Sequence, residues 1–267
     1  MLVAIRLQTP HVFAVLAGFD AGDFLLADSE DVVGRMTSQE RRGSKQGLIV
    51  SFRSDEFRWF CEPGVSEDEG RWFLEGEALT IVAAGSRDHW QRTFYSPLLR
   101  KDSSPALVAE VGGGVEATLE TALTLRHGAP FDQAGAFVRV DEITHVKAGI
   151  EVVDGVPRLS VVVTNGFSDW STQPWDSLSC DIRLHKLHPG KEQGACVVVE
   201  ARPTGAADDS WRMVRIASLR PDHKPWHMGV FAACPVQQIG GQATFHYVRL
   251  GPPLPTVHDS DPGHTSY

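Results

Sequence analysis

DQAGAFVRVDEITHVKAGIEVVDGVPRLSVVVTNGFSDW, residues 132–170, is the stretch of sequence that decides the fold. Apolar and polar residues alternate in it, which is typical of half-buried strands. Asp154 and Gly155 stand between two of the alternating runs, and Asp-Gly is a strong hairpin signal because both turn positions need a positive φ. A two-residue turn here predicts the pairs Val153–Val156, Glu151–Arg158, Ile150–Leu159, Gly149–Ser160, Ala148–Val161 and Val146–Val163. Apolar residues then meet apolar residues throughout, so the register is self-consistent.

The strand before this hairpin is placed by the same rule. Apolar residues face each other in the register Val140–Val146, Val138–Ala148 and Ala136–Ile150, whereas a one-residue slip would move them to the wrong face. This register sets Arg139 directly opposite Lys147, and like charges in that position are destabilising unless something compensates. We therefore expect an acidic or ligand partner for both cations, either Glu151 or a carboxylate from a neighbouring strand.

The opposite face of these strands carries polar side chains that predict a groove. The residues expected to form its floor are Arg139, Lys147, Glu151, Arg158, Ser160 and Thr164. Gly135 and Gly149 lie beside them, and glycine in a strand often marks the close approach of a ligand or of another backbone. The alternative is an ordinary solvated sheet face with a Glu151–Arg158 surface pair.

Trp90 and Trp170 are the candidate stacking residues of this groove. Each lies at a junction between a loop and a strand, and an exposed indole face can stack on the C–H face of a sugar or on another flat ligand. The alternative is that these side chains close the ends of a β-sandwich. The predicted ligand-binding set is thus Arg139, Lys147, Glu151, Arg158, Thr164, Trp90 and Trp170.

Four segments resemble the "regulation of enolase", or domain-of-unknown-function 1349, family. They are RDHWQRTFY at 87–95, the stretch quoted above, WHMGVFAACP at 226–235 and ATFHYVRLG at 243–251. The resemblance covers roughly residues 55–252 and implies a concanavalin A-like jelly-roll β-sandwich of two antiparallel sheets. It implies little about activity, because the family is largely uncharacterised and such a fold hosts many functions.

Composition narrows the class of protein. The chain has 267 residues and a formal net charge of −9, and it has no basic stripe with interleaved aromatics, so we expect no nucleic-acid partner. No stretch approaches 18 apolar residues, so we expect no membrane span. The four cysteines have no C-x-x-C spacing, and no strand alternates the acids that a jelly-roll glycosidase would need. We expect no metal, no cofactor and a cytoplasmic location; the catalytic residues, if any, are unknown.

The chain divides into three predicted parts. Residues 1–54 are an N-terminal extension of unknown role, residues 55–252 form the sandwich, and residues 253–267, which are rich in proline, are a disordered tail. Within the sandwich, many short alternating runs separated by turn-forming residues predict strands throughout and few helices.

The sequence therefore predicts an all-β binding protein. Its groove would take a small hydroxylated or anionic ligand, most simply a carbohydrate-like one. Two alternatives remain open: an enzyme that uses the same groove for isomerase, cyclase or lyase chemistry, with Lys147 or Glu151 transferring a proton, and a regulatory protein of carbohydrate metabolism whose sheet face binds a protein partner. A deep groove would favour the first two functions, and a flat apolar patch would favour the third.

Overall fold

The computed structural model describes residues 4–6, 13–15, 46–63, 71–188, 194–220, 223–236 and 241–258. The chain divides into two compact units, Met1–Ser44 and Lys45–Tyr267. In the first unit, β1 (Ala4–Arg6) pairs antiparallel with β2 (Phe13–Val15). The described residues of the second unit form sixteen strands and a single-turn 3-10 helix at Asp208–Ser210.

The strands of the second unit are, in chain order, β3 (Arg58–Phe60), β4 (Arg71–Glu75), β5 (Ala78–Val82), β6 (His89–Gln91), β7 (Arg100–Asp102), β8 (Ala106–Val111), β9 (Ala117–Arg126), β10 (Gln133–Asp141), β11 (Thr144–Val153), β12 (Val156–Asn165), β13 (Ser168–Pro174), β14 (Ser179–Leu187), β15 (Cys196–Arg202), β16 (Arg212–Ser218), β17 (Trp226–Ala233) and β18 (Gln242–Gly251). No helix among the residues described is long and apolar enough to cross a membrane.

Two seven-stranded sheets form a sandwich. The first, here the site sheet, has the order β13-β12-β11-β10-β17-β8-β3, and the second, the back sheet, has the order β16-β15-β14-β9-β18-β5-β4. Neighbouring strands in both sheets are antiparallel. The predicted all-β jelly-roll sandwich of two antiparallel sheets is confirmed.

Alternation along each strand divides the sheet faces. Val138, Ala148 and Val161 of the site sheet point into the sandwich, where they join Leu119 and Ile182 of the back sheet in one buried apolar cluster. Alternate residues of β10, β11 and β12 point to the other side of the site sheet, which we call the site face. Burial of the apolar face fixes which residues lie on the site face, because a one-residue slip would exchange the two sets.

The Asp154-Gly155 hairpin has the predicted register at every pair, from Val153–Val156 to His145–Thr164. Asp154 and Gly155 both have positive φ, 51° and 78°, as a tight hairpin turn requires.

The register predicted between β10 and β11 is wrong by two residues. The structure pairs Val138 with Val146, so Arg139 lies opposite His145 and only diagonal to Lys147. The reason is a one-residue bulge at Val140 just before a tight turn at 142–143, whereas the predicted register requires a longer loop and no bulge. A two-residue shift leaves every side chain on its predicted face.

Both predicted domain boundaries fall beside residues that pack on the sandwich. Ile49 is bonded to Leu250 and Phe52 is buried in the core, so residues 46–54 of the predicted extension lie in the sandwich unit. The backbone N–H groups of Leu254 and Val257 donate to Thr118 and Glu200 on the outer face of the back sheet. These two bonds tie Leu254 and Val257 to the back sheet, and the disorder predicted for residues 253–267 stays a prediction.

Candidate functional site

A two-stranded ribbon, β6 with β7, covers part of the site face. Gln91 fastens it, because the Gln91 N–H donates to Ser168 Oγ (2.9 Å) and the side-chain amide donates to the Glu142 carbonyl (3.0 Å). Lys101 Nζ donates to the Pro235 carbonyl (2.9 Å) from the other strand. The ribbon therefore turns an open sheet face into a buried polar layer.

Arg139 is held by the ribbon. Its guanidinium donates to Asp102 Oδ2 (2.6 Å) and lies over the Phe60 ring, 4.2 Å from the centroid. His89 Nδ1 lies 2.9 Å from the other oxygen of Asp102, and the His89 ring stacks on Phe137 at 4.6 Å. Burial alone would raise the pKa of Asp102, but the hydrogen bonds from His89 and Arg139 outweigh it and hold that pKa well below its ordinary value.

Lys147 has a different carboxylate. Its Nζ is 2.5 Å from Asp88 Oδ1, and both side chains are almost fully buried. The two cations Arg139 and Lys147 are thus each neutralised by an acid from the ribbon segment, not by a shared one. Because Lys147 is buried, the alternative of a solvated sheet face is wrong at this residue. A buried cation needs a paired anion, and Asp88 supplies it.

Glu151 is the centre of a second buried cluster. Its Oε2 accepts hydrogen bonds from Ser160 Oγ (2.6 Å) and Trp170 Nε1 (3.1 Å), whereas Oε1 has, among the described residues, only the Gln133 side-chain amide at 3.5 Å. Burial raises the pKa of Glu151 to about 7, although the Lys147 charge and the bonds from Ser160 and Trp170 act in the opposite direction. Glu151 can therefore hold or release a proton near neutral pH.

Lys147 and Glu151 both border a cavity of about 240 Å³, which we call the inner cavity. Its residues come from the site face, the ribbon segment and the loops beside β10 and β17: Asp88, Trp90, Tyr95, Leu99, Lys101, Phe131, Gln133, Lys147, Glu151, Val162, Trp170, Pro235 and Val236. Charged groups together with aromatic side chains around one small volume are typical of small-molecule sites.

A second, larger cavity of about 670 Å³, the outer cavity, lies next to the first. Trp90, Tyr95 and Trp170 line both cavities. The outer cavity is completed by Thr93, Phe94, Phe167, Ser168 and Asp169. Trp90 contacts Trp170 edge to face at 6.5 Å and Tyr95 at 5.5 Å, so the shared wall is a packed aromatic group.

The structure brings four of the seven predicted ligand residues together: Lys147, Glu151, Trp90 and Trp170 line the inner cavity. Arg139, Arg158 and Thr164 line neither cavity. Arg139 is tied to Asp102 beneath the ribbon, and the Thr164 hydroxyl is bonded to Ser168 (2.9 Å). Arg158 lies farther along β12, directly opposite Glu151 and Pro174.

Gly135 and Gly149 do not form the predicted ligand hollow. They lie directly opposite each other, and a Cβ added at Gly149 would be 2.0 Å from the Ala134 carbonyl oxygen. Glycine is required here because two backbones approach closely, which is the other meaning of glycine in a strand.

Sequence reasoning missed the acids Asp88 and Asp102 and the aromatics Tyr95, Phe94 and Phe167. Asp88, Phe94 and Tyr95 belong to the RDHWQRTFY segment, so its dense mixture of charged and aromatic residues was the available signal. Within the part of the chain that the structure describes, no group of three or more His, Cys, Asp or Glu side chains is placed to hold a metal ion.

The sequence of this chain matches a known protein family. Residues 59–253 match the family model "Protein of unknown function (DUF1349)". "Regulation of enolase protein 1" of Saccharomyces cerevisiae is 31% identical over 188 residues, which are 70% of this chain and 88% of the yeast protein.

Solved structures with the same sandwich include a functionally unknown protein from Saccharomyces cerevisiae. It is 27% identical with a TM-score of 0.63, over 77% of this chain and 100% of the yeast chain. A xylan beta-1,4-xylosidase from Bacillus halodurans C-125 is 14% identical with a TM-score of 0.52, over 74% of this chain and 39% of the xylosidase. The second likeness is one of fold alone.

Proposed function

The chain belongs to the DUF1349 family, and we propose that in this member the inner cavity binds a small hydroxylated molecule of the sugar type. The observation that carries the proposal is the composition of the cavity wall. Fixed hydrogen-bonding groups of Glu151 and Lys147 meet the aromatic rings of Trp90, Tyr95 and Trp170 around one small volume. The hydroxyl groups of a sugar can hydrogen-bond to Glu151 and Lys147, and the C–H face of a pyranose ring can stack on the aromatic rings.

The polar wall is preorganised for such a ligand. Glu151 and Lys147 are held by Ser160, Trp170 and Asp88, so their positions need no reordering when a ligand arrives. Preorganisation lowers the entropic cost of binding. Glu151 Oε1 supplies the acceptor, because within the part of the chain that the structure describes it has only the long bond from Gln133.

Calorimetry on the full chain tests this proposal. The probes are methyl glycosides of xylose, glucose, galactose and arabinose, and we expect at least one to bind. Trp170→Ala should then weaken that affinity by about tenfold or more, since it removes an aromatic face. Trp72→Ala is the matched control, because Trp72 is a half-exposed indole of the back sheet. Absence of heat with every probe at its solubility limit would sink the proposal.

A catalytic use of the same cavity is a second candidate, and Glu151 is the observation that favours it. A carboxyl with a pKa of about 7 is suited to general acid–base chemistry such as isomerisation, cyclisation or elimination. Incubation of a bound probe with the chain, followed by NMR of the sugar, separates the two functions. Catalysis predicts that NMR shows a chemically changed sugar with the parent chain. The Glu151→Gln variant should still bind the probe but no longer convert it.

A regulatory interaction is supported only by the name of the yeast relative, which refers to enolase. Sedimentation of the chain with purified enolase tests it. If the chain and enolase sediment together and Trp170→Ala does not change this, the interaction uses another surface. If they sediment separately and the chain binds a glycoside, the cavity is the functional feature.

A further inference from the structure

The outer cavity differs from the inner one in its chemistry. Its wall contains five aromatic residues: Trp90, Phe94, Tyr95, Phe167 and Trp170. Phe94 is 92% exposed and Phe167 is 61% exposed, so two large apolar side chains from two separate loops stand at the rim in water. Such exposure has a cost that packing in the chain does not offset, and it marks a surface for an apolar partner.

Most polar side-chain groups of the outer cavity already have hydrogen-bond or ion-pair partners inside the protein. Trp90 Nε1 donates to the Thr93 carbonyl (3.1 Å), and Trp170 Nε1 points to Glu151 and Ser160. The Thr93 hydroxyl donates to the Gln91 carbonyl (3.4 Å). Asp169 is paired with Arg215 (3.0 Å), and the Ser168 hydroxyl is bonded to Thr164 and to the Gln91 N–H.

A second sugar in the outer cavity would therefore find aromatic faces but few free partners for its hydroxyl groups. A planar apolar group would lose nothing there, because it has no hydrogen bonds to replace. The wall chemistry thus favours an aromatic ring over another hydroxylated unit.

The loop that presents Phe94 has an unusual backbone. Arg92 and Phe94 have φ values of 65° and 71°, in the left-handed region that costs a residue with a side chain roughly 1 kcal/mol or more. The Arg92 guanidinium also lies over the Phe167 ring, 5.3 Å from its centroid, and so braces the second exposed aromatic. Strain that places a side chain in solvent instead of in the core is typical of a binding site.

We propose that the outer cavity holds a planar aromatic group that is covalently joined to the hydroxylated unit in the inner cavity, so that the ligand class is an aryl glycoside. Trp90, Tyr95 and Trp170 line both cavities, so the two volumes adjoin, and the two halves of one ligand would meet beside these side chains. This inference rests on the proposed function, which supplies the hydroxylated half of the ligand.

Matched probes test it by calorimetry on the full chain. For each sugar of the panel above, the methyl and phenyl glycosides are compared, and phenol alone is the third probe. The phenyl glycoside should bind about tenfold to a hundredfold tighter than its methyl partner, as expected for burial of one ring. In Phe94→Ala the phenyl and methyl glycosides should bind with equal affinity, and the affinity for the methyl glycoside should be the same as in the parent chain. Phe73→Ala is the matched control, because Phe73 is an exposed phenylalanine of the back sheet.

The outcomes separate the two proposals. Equal affinity for methyl and phenyl glycosides overturns the aryl inference and leaves sugar binding intact. Binding of phenol with no preference for any glycoside overturns both the sugar proposal and the covalent link. No binding of any probe, together with self-association that Phe94→Ala removes, would make the outer cavity an interface between copies of the chain, and the inference would be wrong.

Discussion

Two buried polar clusters lie on the outer faces of the two sheets, and they differ in how they are completed. On the back sheet, His185 contacts Thr118 (3.0 Å) with one ring nitrogen and Glu200 (3.1 Å) with the other. The second oxygen of Glu200 accepts from the Val257 N–H (2.6 Å). All three side chains are fully buried, and the chain itself satisfies them.

The cluster on the site face is incomplete by comparison. Among the residues described, Glu151 has one well-bonded oxygen and one with only the long bond from Gln133, and His145 is fully buried with neither ring nitrogen bonded. Burial of polar groups is therefore not by itself the mark of a site in this fold. The mark is a buried group whose hydrogen bonding the protein has left unfinished beside a cavity.

The largest effect that this comparison predicts is in the back sheet. Glu200→Ala should lower the free energy of unfolding by about 3 kcal/mol or more, because it strands buried donors of His185 and Val257. Urea denaturation at neutral pH measures it. Asp209→Ala, at an exposed acid, is the control and should change stability by about 0.5 kcal/mol or less. A loss below about 1 kcal/mol for Glu200→Ala would show that the cluster is not structural.

The two clusters also show what the sequence could and could not predict. The Asp154-Gly155 turn and the alternation around it are local, so they specify the register of β11 with β12 and the face on which Lys147 and Glu151 lie. Nothing local signals the bulge at Val140. The ion pairs of Lys147 and Arg139 join residues that are 59 and 37 positions from their acids, so the ribbon over the site face could not be read from pattern.

The site face was expected to be a groove open to solvent because the sequence pattern does not report this long-range packing. An isolated three-stranded pattern reports which residues share a face, but not what covers that face. Trp90 and Trp170 were predicted from residue type and from their position at loop-to-strand junctions, and in the structure both line the two cavities.

The next effect concerns Glu151 and pH. Its folded-state pKa of about 7 exceeds the ordinary value of 4.5, so the stability that its protonation contributes is complete below pH 4.5 and is lost as the pH rises through 7. The difference corresponds to about 3 kcal/mol. Glu151→Gln keeps the neutral shape, so the variant should melt above the parent at pH 8 and close to it at pH 5. Equal melting temperatures at pH 8 would contradict the raised pKa.

His145 should act in the opposite pH range. Burial lowers its pKa well below 6.5, and the nearby charges of His89, Lys147 and Arg139 act in the same direction, against that of Asp102. Its contribution to stability is present above pH 6.5 and is lost as the pH falls, by up to about 1.4 kcal/mol per pH unit. His145→Leu should flatten this acid slope. A parallel acid slope in the variant would assign the loss to other groups.

The smallest effect isolates the strain at the rim of the outer cavity. If the positive φ of Phe94 is imposed by the loop, Phe94→Gly should be more stable than Phe94→Ala by about 1 kcal/mol, because glycine adopts that conformation freely. Leu98, in the same loop and also exposed, is not in the left-handed region, so Leu98→Gly should be less stable than Leu98→Ala. Urea denaturation of the four variants measures both differences. If glycine is the less stable choice at both positions, the loop does not store strain at Phe94.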